Sequence, residues 1–303
     1  MINRRQLLKL GAGILAMPYT NLFAAEKLPL IQRKIPSSGE LLPVIGMGTS
    51  RTFNTDNDAE SLAQLTAVIE EFFKGSGKVI DSSPMYGESE SRVGDILRNM
   101  QNHPQVFAAT KVWTSGREQG IAQMQESARR MNVKNFDLIA VHNLVDWRTQ
   151  LATLKEWKKE GKVRYIGITT SHGRDHDEFL EVMRSEPIDF VQFTYNIANL
   201  TAEEKILPLA QDKGIATMIN RPYQRGSLFR ASKGKELPSI AKEIDCNSWG
   251  QFYLKFILGH PAVTCLIPAT SKPKHMVDNM MANFGRLPDP SQRAEMLKLF
   301  NSL

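Results

Sequence analysis

Four side chains that can bind or release protons stand at or just after the ends of three successive apolar runs. The first run ends at Asp81 and is followed by Tyr86 in the segment SSPMYGESE, the second ends at Lys111, and the third ends at His142. A free tyrosine has a pKa of about 10 and gives up its proton reluctantly at neutral pH. A neighbouring lysine ammonium lowers that pKa, and an aspartate keeps the ammonium charged and in position. Together these residue types would suit Tyr86 to the role of a proton donor.

Each of these residues also has an ordinary structural explanation when it is considered alone. Asp81 could cap the turn that begins at Ser82, which is a frequent role of aspartate. Lys111 could be a solvated lysine at a strand end, and His142 could be a polar residue with satisfied hydrogen bonds. Because these side chains follow consecutive runs, their joint occurrence favours a shared active site over unrelated structural roles.

A repeated pattern of β-rich and helical segments would bring such residues together. Eight short, almost continuously apolar runs lie along the chain, as is typical of parallel strands that are buried on both faces. The segments between them include helical spacing, such as the apolar positions Ile121, Met124, Ala128 and Met131. The eight runs span residues 42–48, 78–83, 106–113, 136–144, 163–170, 188–196, 214–222 and 262–270.

Eight such units predict an α/β fold of the (β/α)8, or TIM barrel, type. The segment IQRKIPSSGELLPVIG before the first unit predicts a β-hairpin with its turn at Ser38-Gly39, which could cover the bottom of the barrel. A doubly wound open sheet is the alternative, but its first strand is usually followed by a glycine fingerprint, and GMGTSR lacks the third glycine. Active sites of barrels form at the carboxyl ends of the strands, so we expect the four proton-active side chains to face one opening.

The 303-residue chain has the composition of a globular protein, with 42% hydrophobic and 23% charged residues. Three of its 38 basic residues and none of its 32 acidic residues fall within the first 25 positions, so the net charge of +6 drops to +3 for the remainder. This small excess gives no support for nucleic-acid binding. Six scattered histidines and two cysteines without a C-x-x-C spacing give little support for a metal site.

The opening MINRRQLLKLGAGILAMPYTNLFAAEK predicts an export signal over residues 1–25, with a disordered or amphipathic tail as the alternative. A pair of arginines precedes a short apolar run, and small residues follow at Ala24 and Ala25, where we expect cleavage. The run is shorter than the ~20 residues that a spanning helix needs, so no stable membrane span is expected. NRRQLLK resembles the twin-arginine type of signal, which bacterial export machinery reads to move folded proteins into the periplasm. Residues 26–303 would form the barrel domain.

The strand-end residues and their flanking segments resemble the aldo-keto reductase family over nearly the whole chain after the signal. Asp81 and the segment SSPMYGESESRVGDIL that follows it are similar to the family's segment with the catalytic aspartate and tyrosine, AATKVW to its lysine strand, and DLIAVHN to its histidine strand. LKEWKKEGKVRYIGITTS and VQFTYN match the segments of its fifth and sixth strands. IPATSKPKHMVDN aligns without gaps to the segment that binds the adenine ribose phosphate.

The resemblance implies reduction of an aldehyde or ketone to an alcohol with a nicotinamide dinucleotide as cofactor. A hydride would reach the carbonyl carbon while Tyr86, as general acid, gives a proton to the carbonyl oxygen. Lys111 and Asp81 would support the phenol, and His142 would hydrogen-bond the carbonyl oxygen and orient it. This reaction needs no metal.

The cofactor would lie across the barrel mouth, with its carboxamide held by Thr169, Thr170 and Gln192. The two threonines stand where the family usually has Ser-Asn. Because threonine lacks the reach of an amide, we assign the main contact with the carboxamide to Gln192. Gly226 would allow the loop after the seventh strand to approach the pyrophosphate closely. The cofactor-binding residues implied by the resemblance are Thr169, Thr170, Gln192, Arg221, Gly226, Ser227, Leu228, Thr270, Ser271, Lys272, His275 and Asn279.

Two further departures from the family concern the nicotinamide ring and the choice between NADPH and NADH. Asn220 stands where many members stack a tyrosine on the ring, and Arg221 or Tyr223 could replace that contact. Ala269 and His275 stand where a lysine and an arginine commonly bind the 2′-phosphate of NADPH. NADPH is still the expected cofactor, because nearby polar residues and the start of the eighth helix can favour an anion. NADH is the alternative.

The substrate loops are short and leave the identity of the carbonyl compound open. Met85, Trp113 and Trp147 would line an open, apolar pocket for a small molecule, although both tryptophans could instead pack under loops. Cys246 and Cys265 could form a disulfide in an oxidising compartment. Cys265 lies in the apolar run AVTCLIPAT, which favours a buried free thiol.

The sequence thus predicts an exported NAD(P)H-dependent carbonyl reductase. A cofactor-binding redox sensor or regulatory subunit in the same fold is the second hypothesis, because the periplasm is not expected to supply reduced nicotinamide freely. The complete set of four proton-active residues favours catalysis, since a protein that only binds the cofactor does not need all of them. A third hypothesis, a barrel hydrolase, lacks a second placed carboxylate or a metal site.

Overall fold

The computed structural model of the protein describes residues 28–100, 102–171 and 176–303. The predicted export signal over residues 1–25 lies outside these residues. The strands are β1 (Gln32–Lys34), β2 (Leu41–Pro43), β3 (Met47–Gly48), β4 (Val79–Asp81), β5 (Phe107–Val112), β6 (Phe136–His142), β7 (Val163–Thr169), β8 (Phe190–Thr194), β9 (Ala216–Asn220) and β10 (Cys265–Leu266). From β3 to β10 they form one eight-stranded parallel sheet in which each strand pairs with the next strand along the chain.

Hydrogen bonds between the first and last strands close this sheet into a barrel. The main-chain N–H of Gly46 donates to the Leu266 carbonyl over 2.8 Å, and the Leu266 N–H donates to the Val44 carbonyl over 2.9 Å. A further parallel β-bridge joins Gly48 to Ala269. The predicted (β/α)8 barrel is therefore confirmed, and the open doubly wound sheet is not the fold.

The interior of the barrel changes from apolar to polar along the strands. Successive side chains of a strand point to opposite faces, so every second residue faces the interior. The same alternation continues to the carboxyl ends of the strands, where Asp81, Lys111, His142 and Gln192 follow the inward-facing apolar residues by two or four positions. The apolar interior consists of Ile35, Leu42, Val79, Phe107, Ala109, Leu138, Tyr165, Phe190, Ala216, Met218, Cys265 and Ile267.

The helices cover the outer face of the barrel. In the first of them, Leu65, Val68, Ile69 and Phe72 recur at helical spacing and are all buried, and Asp58 accepts the Ser61 N–H at its start. The helices are α1 (Ala59–Lys74), α2 (Ser89–Asn99), α3 (Arg117–Met131), α4 (Trp147–Lys159), α5 (His176–Ser185), α6 (Ile206–Lys213), α7 (Leu228–Ala231), α8 (Ile240–Glu243), α9 (Trp249–Leu258), α10 (Pro273–Met281) and α11 (Pro290–Asn301).

The predicted hairpin is present and covers the amino end of the barrel. Strands β1 and β2 pair antiparallel, and Gly39 in the turn has a φ of +75°, which glycine adopts without strain. Glu40 accepts a hydrogen bond from Lys78, just before β4, over 2.8 Å and forms an ion pair with Arg164 at the start of β7. Because these contacts lie at the amino ends of the strands, the carboxyl ends remain open.

Two further expectations concern membrane spans and cysteines. Within the described residues, no helix is long and apolar enough to cross a membrane. Cys246 and Cys265 are both buried free thiols, so the alternative of a disulfide between them is not present. Burial raises the pKa of each thiol to about 12.

Candidate functional site

A cavity of about 1270 Å³ opens at the carboxyl ends of the barrel strands. Its walls are the strand ends, the loops that follow them, and the first residues of α9 and α10. The predicted site residues that line it are Asp81, Met85, Tyr86, His142, Thr169, Gln192, Arg221, Gly226, Thr270, His275 and Asn279.

A buried ion pair between Asp81 and Lys111 lies at the base of this cavity. Lys111 Nζ donates to Asp81 Oδ2 and to the carbonyl oxygen of Ser82, each over 2.7 Å. Gln192 Nε2 donates to the other carboxylate oxygen of Asp81 over 3.0 Å. Lys111 is fully buried and Asp81 is almost fully buried. Asp81 is therefore the counter-ion of Lys111, and Lys111 is not a solvated strand-end lysine.

The charge state of Lys111 follows from two opposing effects. Burial disfavours the ammonium, but the negative charge of Asp81, with a smaller contribution from Glu90, outweighs burial and raises the pKa of Lys111 above its ordinary value. Lys111 is consequently a cation at neutral pH. A positive charge thus lies inside the barrel, directly below the cavity.

Tyr86 lies above the ion pair, on the turn that follows β4. Lys111 Nζ is 5.2 Å from the centroid of the Tyr86 ring, and the Tyr86 N–H donates to the Ser83 carbonyl over 3.0 Å. Burial raises the pKa of Tyr86 above its ordinary value, and the charge of Lys111 offsets only part of that rise. Lys111 thus acts on the phenol pKa in the expected direction, but desolvation outweighs the lysine charge and the net shift of that pKa is upward. The phenol keeps its proton at neutral pH.

His142 faces Tyr86 across the cavity as a neutral imidazole. The two rings are perpendicular, with an interplanar angle of 88° and centroids 6.0 Å apart. Burial, followed by the charge of Lys111, lowers the pKa of His142 to about 3. Ser83 Oγ lies 3.1 Å from His142 Nδ1. Ser83 is a site residue that the sequence reasoning missed, although its place two residues after Asp81 was an available signal.

The cavity floor beside the ion pair is a set of mutually bonded polar side chains. Thr169 Oγ1 donates to Gln192 Oε1 over 3.1 Å, which fixes the amide that also contacts Asp81. Asn220 accepts a hydrogen bond from Thr194 Oγ1 over 2.7 Å and donates to the Thr170 carbonyl over 3.0 Å. Thr169, Gln192 and Asn220 line the cavity, whereas Thr170 does not.

The loop after β9 forms one side of the cavity and contains several predicted cofactor residues. Arg221 and Gly226 line the cavity, with φ of +52° and +84°, and a Cβ added at Gly226 would meet no atom within 4 Å. Tyr223 also lines it, and its hydroxyl donates to a side chain of α10. Ser227 and Leu228 lie outside the lining. Leu228 is buried in the larger apolar core between the barrel strands and the surrounding helices, which we call the outer core. The Leu228 side chain therefore packs under the loop, and the contact of this loop with the pyrophosphate stays a prediction.

The start of α10 forms the far end of the cavity. Thr270, His275 and Asn279 line it, and Asn279 Oδ1 accepts the Tyr223 hydroxyl over 2.6 Å. Ser271 and Lys272 lie outside the lining, where the Lys272 N–H donates to Thr270 Oγ1 over 3.1 Å at the helix start. Partial burial and the neighbouring lysine charges lower the pKa of His275.

The three predicted substrate-pocket residues have different positions. Met85 lines the cavity beside Tyr86 and is 40% exposed. Trp113 is 42% exposed, and its ring centroid lies 6.4 Å from that of His142, so it stands next to the cavity mouth. Trp147 is buried in the outer core at the start of α4, where its Nε1–H donates to Glu178 over 2.7 Å. Its indole thus faces the helical layer, in line with the packing alternative that the sequence left open, and a part of Trp147 in the substrate pocket stays a prediction.

Two segments of the cavity wall were not predicted. The loop after β3 contributes residues 49–52 and Asn54, and the Ser50 side chain forms a hydrogen bond with Tyr86. The start of α9 contributes residues 248–250, and Ser248 caps this helix by accepting the Gln251 N–H over 3.0 Å. The spacing Ser-x-x-Gln is a helix-start signal that could have located this second wall.

The charged side chains of the cavity lining are mostly positive. Asp81 and Asp278 are its acidic residues, and both accept hydrogen bonds from neighbouring side chains. Arg51, Arg221 and Arg225 are its arginines. Across the described residues, no group of three or more histidine, cysteine, aspartate or glutamate side chains could hold a metal ion. The cavity therefore suits an anionic ligand of considerable size.

Together, the fold and the site define a (β/α)8 barrel with a tyrosine, a histidine and a buried lysine–aspartate pair at the carboxyl ends of its strands. Residues 44–294 match the model of the aldo/keto reductase family. The chain belongs to this family, and the resemblance read from its motifs is confirmed at that level.

Individual relatives are distant. An uncharacterised oxidoreductase of Schizosaccharomyces pombe is 32% identical over 159 residues, which cover 52% of this chain and 50% of the relative. Methylglyoxal reductase YeaE of Escherichia coli is 24% identical over 257 residues, which cover 82% of this chain and 88% of the relative. The solved structure of an aldo-keto reductase from Klebsiella pneumoniae in complex with NADPH has a TM-score of 0.74 and 20% identity, covering 89% of this chain and 96% of that one. The chain thus spans about half the length of the Schizosaccharomyces pombe relative, and the structural likeness is one of fold.

Proposed function

We propose that this protein reduces an aldehyde or ketone to an alcohol, with a reduced nicotinamide dinucleotide as cofactor and Tyr86 as the general acid. The observation that supports this most is that an ion pair, a tyrosine and a histidine lie next to one another at the carboxyl ends of the strands. The buried Asp81–Lys111 pair lies at the base, the ammonium is 5.2 Å from the centroid of the Tyr86 ring, and the imidazole of His142 faces that ring. Such a set can give a proton to an oxygen atom and stabilise the phenolate that remains.

The residues of the cavity fit a dinucleotide. The volume of about 1270 Å³ exceeds the range of about 300–1,000 Å³ usual for small-molecule sites, so it can hold a cofactor and a small substrate together. Gln192 and Thr169 would hold the carboxamide, and the start of α10 near Thr270 would favour a phosphate. Arg221 and Arg225 would add positive charge beside the pyrophosphate. The NADPH in the Klebsiella pneumoniae structure supports the choice of this cofactor.

The protein's own groups account for the proton in this reaction. When bound, the reduced nicotinamide supplies the hydride that the carbonyl carbon accepts. The Tyr86 hydroxyl gives its proton to the carbonyl oxygen, and the Lys111 ammonium stabilises the resulting phenolate. Asp81 keeps Lys111 charged and in place through its 2.7 Å contact. His142, which is neutral, donates a hydrogen bond that orients the carbonyl oxygen toward the phenol.

The direct test incubates purified protein with NADPH and a panel of aldehydes, ketones, quinones and 2-oxoaldehydes, including methylglyoxal, and follows the absorbance of the reduced cofactor. Tyr86→Phe is expected to lower kcat by about 10²- to 10⁴-fold and to leave cofactor affinity unchanged, because only the acid is removed. Tyr165→Phe is the matched control, since that phenol lies at the opposite end of the barrel against Ser38. Retained turnover in Tyr86→Phe would refute the acid role. Tight cofactor binding without any turnover would favour a sensor or regulatory subunit instead.

NADPH is the proposed cofactor rather than NADH. Replacement of the family's usual lysine and arginine by Ala269 and His275 weakens the case for a 2′-phosphate, while Thr270 and the α10 start support it. Quenching of tryptophan fluorescence by each cofactor measures the two Kd values directly. A lower Kd for NADH would reverse this choice.

Export to the periplasm through a twin-arginine signal is a further part of the proposal, supported by the segment NRRQLLK and the small residues that follow the apolar run. Replacement of Arg4-Arg5 by Lys-Lys should leave the full-length chain in the cytoplasm. Cell fractionation with immunodetection reads the outcome, and unchanged periplasmic recovery would contradict it.

A further inference from the structure

Ser83 is a buried hydroxyl whose hydrogen-bond partners restrict where its proton can go. Its side chain is fully buried, and its Oγ has two contacts within the described residues: His142 Nδ1 at 3.1 Å and the Met85 N–H at 3.5 Å. The Met85 N–H can only donate. The imidazole nitrogen is therefore the one acceptor for the Ser83 proton among these contacts, and a buried hydroxyl without an acceptor costs free energy.

The direction of this hydrogen bond determines the tautomer of His142. A neutral imidazole has one proton, so a nitrogen that accepts a hydrogen bond leaves the proton on the other nitrogen. If Nδ1 accepts from Ser83, then Nε2 carries the proton. His142 lines the cavity, and the only hydrogen bond of its side chain within the described part of the chain is the one to Ser83. Nε2–H is then available to a ligand oxygen in the cavity.

We propose that Ser83 is a positioning residue that holds His142 in its Nε2–H tautomer, so that the imidazole donates a hydrogen bond to the substrate oxygen. This inference rests on the proposed carbonyl reduction for its purpose, but the tautomer itself is a property of the folded protein. The main-chain turn fixes Ser83, because its carbonyl accepts the Tyr86 N–H over 3.0 Å. One short segment thus carries both the acid and the residue that orients its partner.

The tautomer is measured by NMR on protein labelled with ¹⁵N at histidine, at neutral pH, with the His142→Gln variant identifying the signal. The expected spectrum shows an unprotonated Nδ1 and a protonated Nε2. Ser83→Ala should add the Nδ1–H tautomer and lower kcat by roughly three- to tenfold, the effect of losing one neutral hydrogen bond, with little change in the Kd of NADPH. Ser83→Thr keeps the hydroxyl and should retain the wild-type tautomer and most of kcat.

Ser127→Ala is the matched control, because it also removes a buried hydroxyl, one that donates to Glu90 over 3.0 Å away from the cavity lining. It should change neither the His142 spectrum nor kcat. A wild-type His142 protonated at Nδ1, or an unchanged tautomer in Ser83→Ala, would overturn the proposal. If no carbonyl compound is reduced, the proposed function fails while the spectra still decide the role of Ser83. If Ser83→Ala does not fold, a wild-type His142 protonated at Nδ1 would still overturn the proposal, as would a Ser83→Thr protein that keeps the hydroxyl and loses the Nε2–H tautomer.

Discussion

Lys111→Met tests whether the lysine neutralises a buried charge, since methionine keeps the length of the side chain and removes the ammonium. In the wild type the ammonium donates to Asp81 and to the Ser82 carbonyl, each over 2.7 Å. The variant leaves the carboxylate, which is only 4% exposed, with the single hydrogen bond from Gln192 over 3.0 Å. Removing one partner of such a buried pair typically costs about 3–5 kcal/mol of folding free energy.

The double variant Asp81→Asn/Lys111→Met separates charge from packing. An asparagine removes the uncompensated charge and can still bond Gln192, so the double variant should regain more than half of the stability lost in Lys111→Met. Both variants should lose carbonyl reduction, because neither has a cation beside Tyr86. Recovered stability together with lost activity in the double variant would show that the Lys111 charge is needed for the reaction and not only for folding.

Urea denaturation followed by tryptophan fluorescence measures these differences, since the chain has four tryptophans. Lys74→Met is the matched control, because Lys74 forms an ion pair with Glu71 on the surface of α1, and its side chain is 66% exposed. Exposed pairs contribute little, so its midpoint should not change measurably. Wild-type stability in Lys111→Met, or a double variant no more stable than the single one, would refute the assignment of Lys111 as the counter-ion of a buried carboxylate.

Four further predictions follow from the burial or exposure of individual side chains. Because the folded-state pKa of His142 is lowered to about 3, the unfolded chain binds a proton there that the folded protein does not, and stability should fall as pH drops below about 6.5. His142→Gln should reduce this slope in denaturation series between pH 7 and 4, and an unchanged slope would contradict it. Trp147→Ala should cost about 3–5 kcal/mol in urea denaturation, as expected for a buried indole. Trp113→Ala should instead change KM for carbonyl compounds with little loss of stability, because its indole is exposed beside the cavity mouth. Cys246 and Cys265, whose thiol pKa values are raised to about 12, should not react with a thiol reagent until the protein is unfolded, and labelling of the native protein would show that they are accessible.

The barrel was predictable because its signal repeats. Eight apolar runs, separated by segments long enough for a helix, specify parallel strands buried on both faces, and the structure contains eight such strands. The hairpin turn at Gly39 was also visible in the sequence, because a local glycine signal determines it.

The positions of the proton-active residues were predictable for a related reason. Asp81, Lys111 and His142 continue the inward-facing alternation of their own strands, so their direction follows from the strand itself. The cavity wall formed by residues 49–52, Asn54 and residues 248–250 was missed, because loop and helix-start residues have no such periodicity.

Trp147 shows the limit of reading a residue by its neighbours in the chain. It follows the histidine strand closely, yet its Nε1–H is bound by Glu178 of α5, and its ring packs in the outer core. Which way a side chain turns at a helix start depends on the elements packed against it, and these come from distant parts of the sequence.

By itself, the sequence determined the barrel, the family, and the set of residues at the strand ends, because each depends on local periodicity or on motifs read along the chain. Only the tertiary structure decided the contact between Ser83 and His142, the burial of Trp147, and the direction in which the pKa of Tyr86 is shifted. That direction is the difference between two opposing effects, desolvation and the charge of Lys111. Both depend on distances between residues on different strands and loops, and the folded barrel sets those distances.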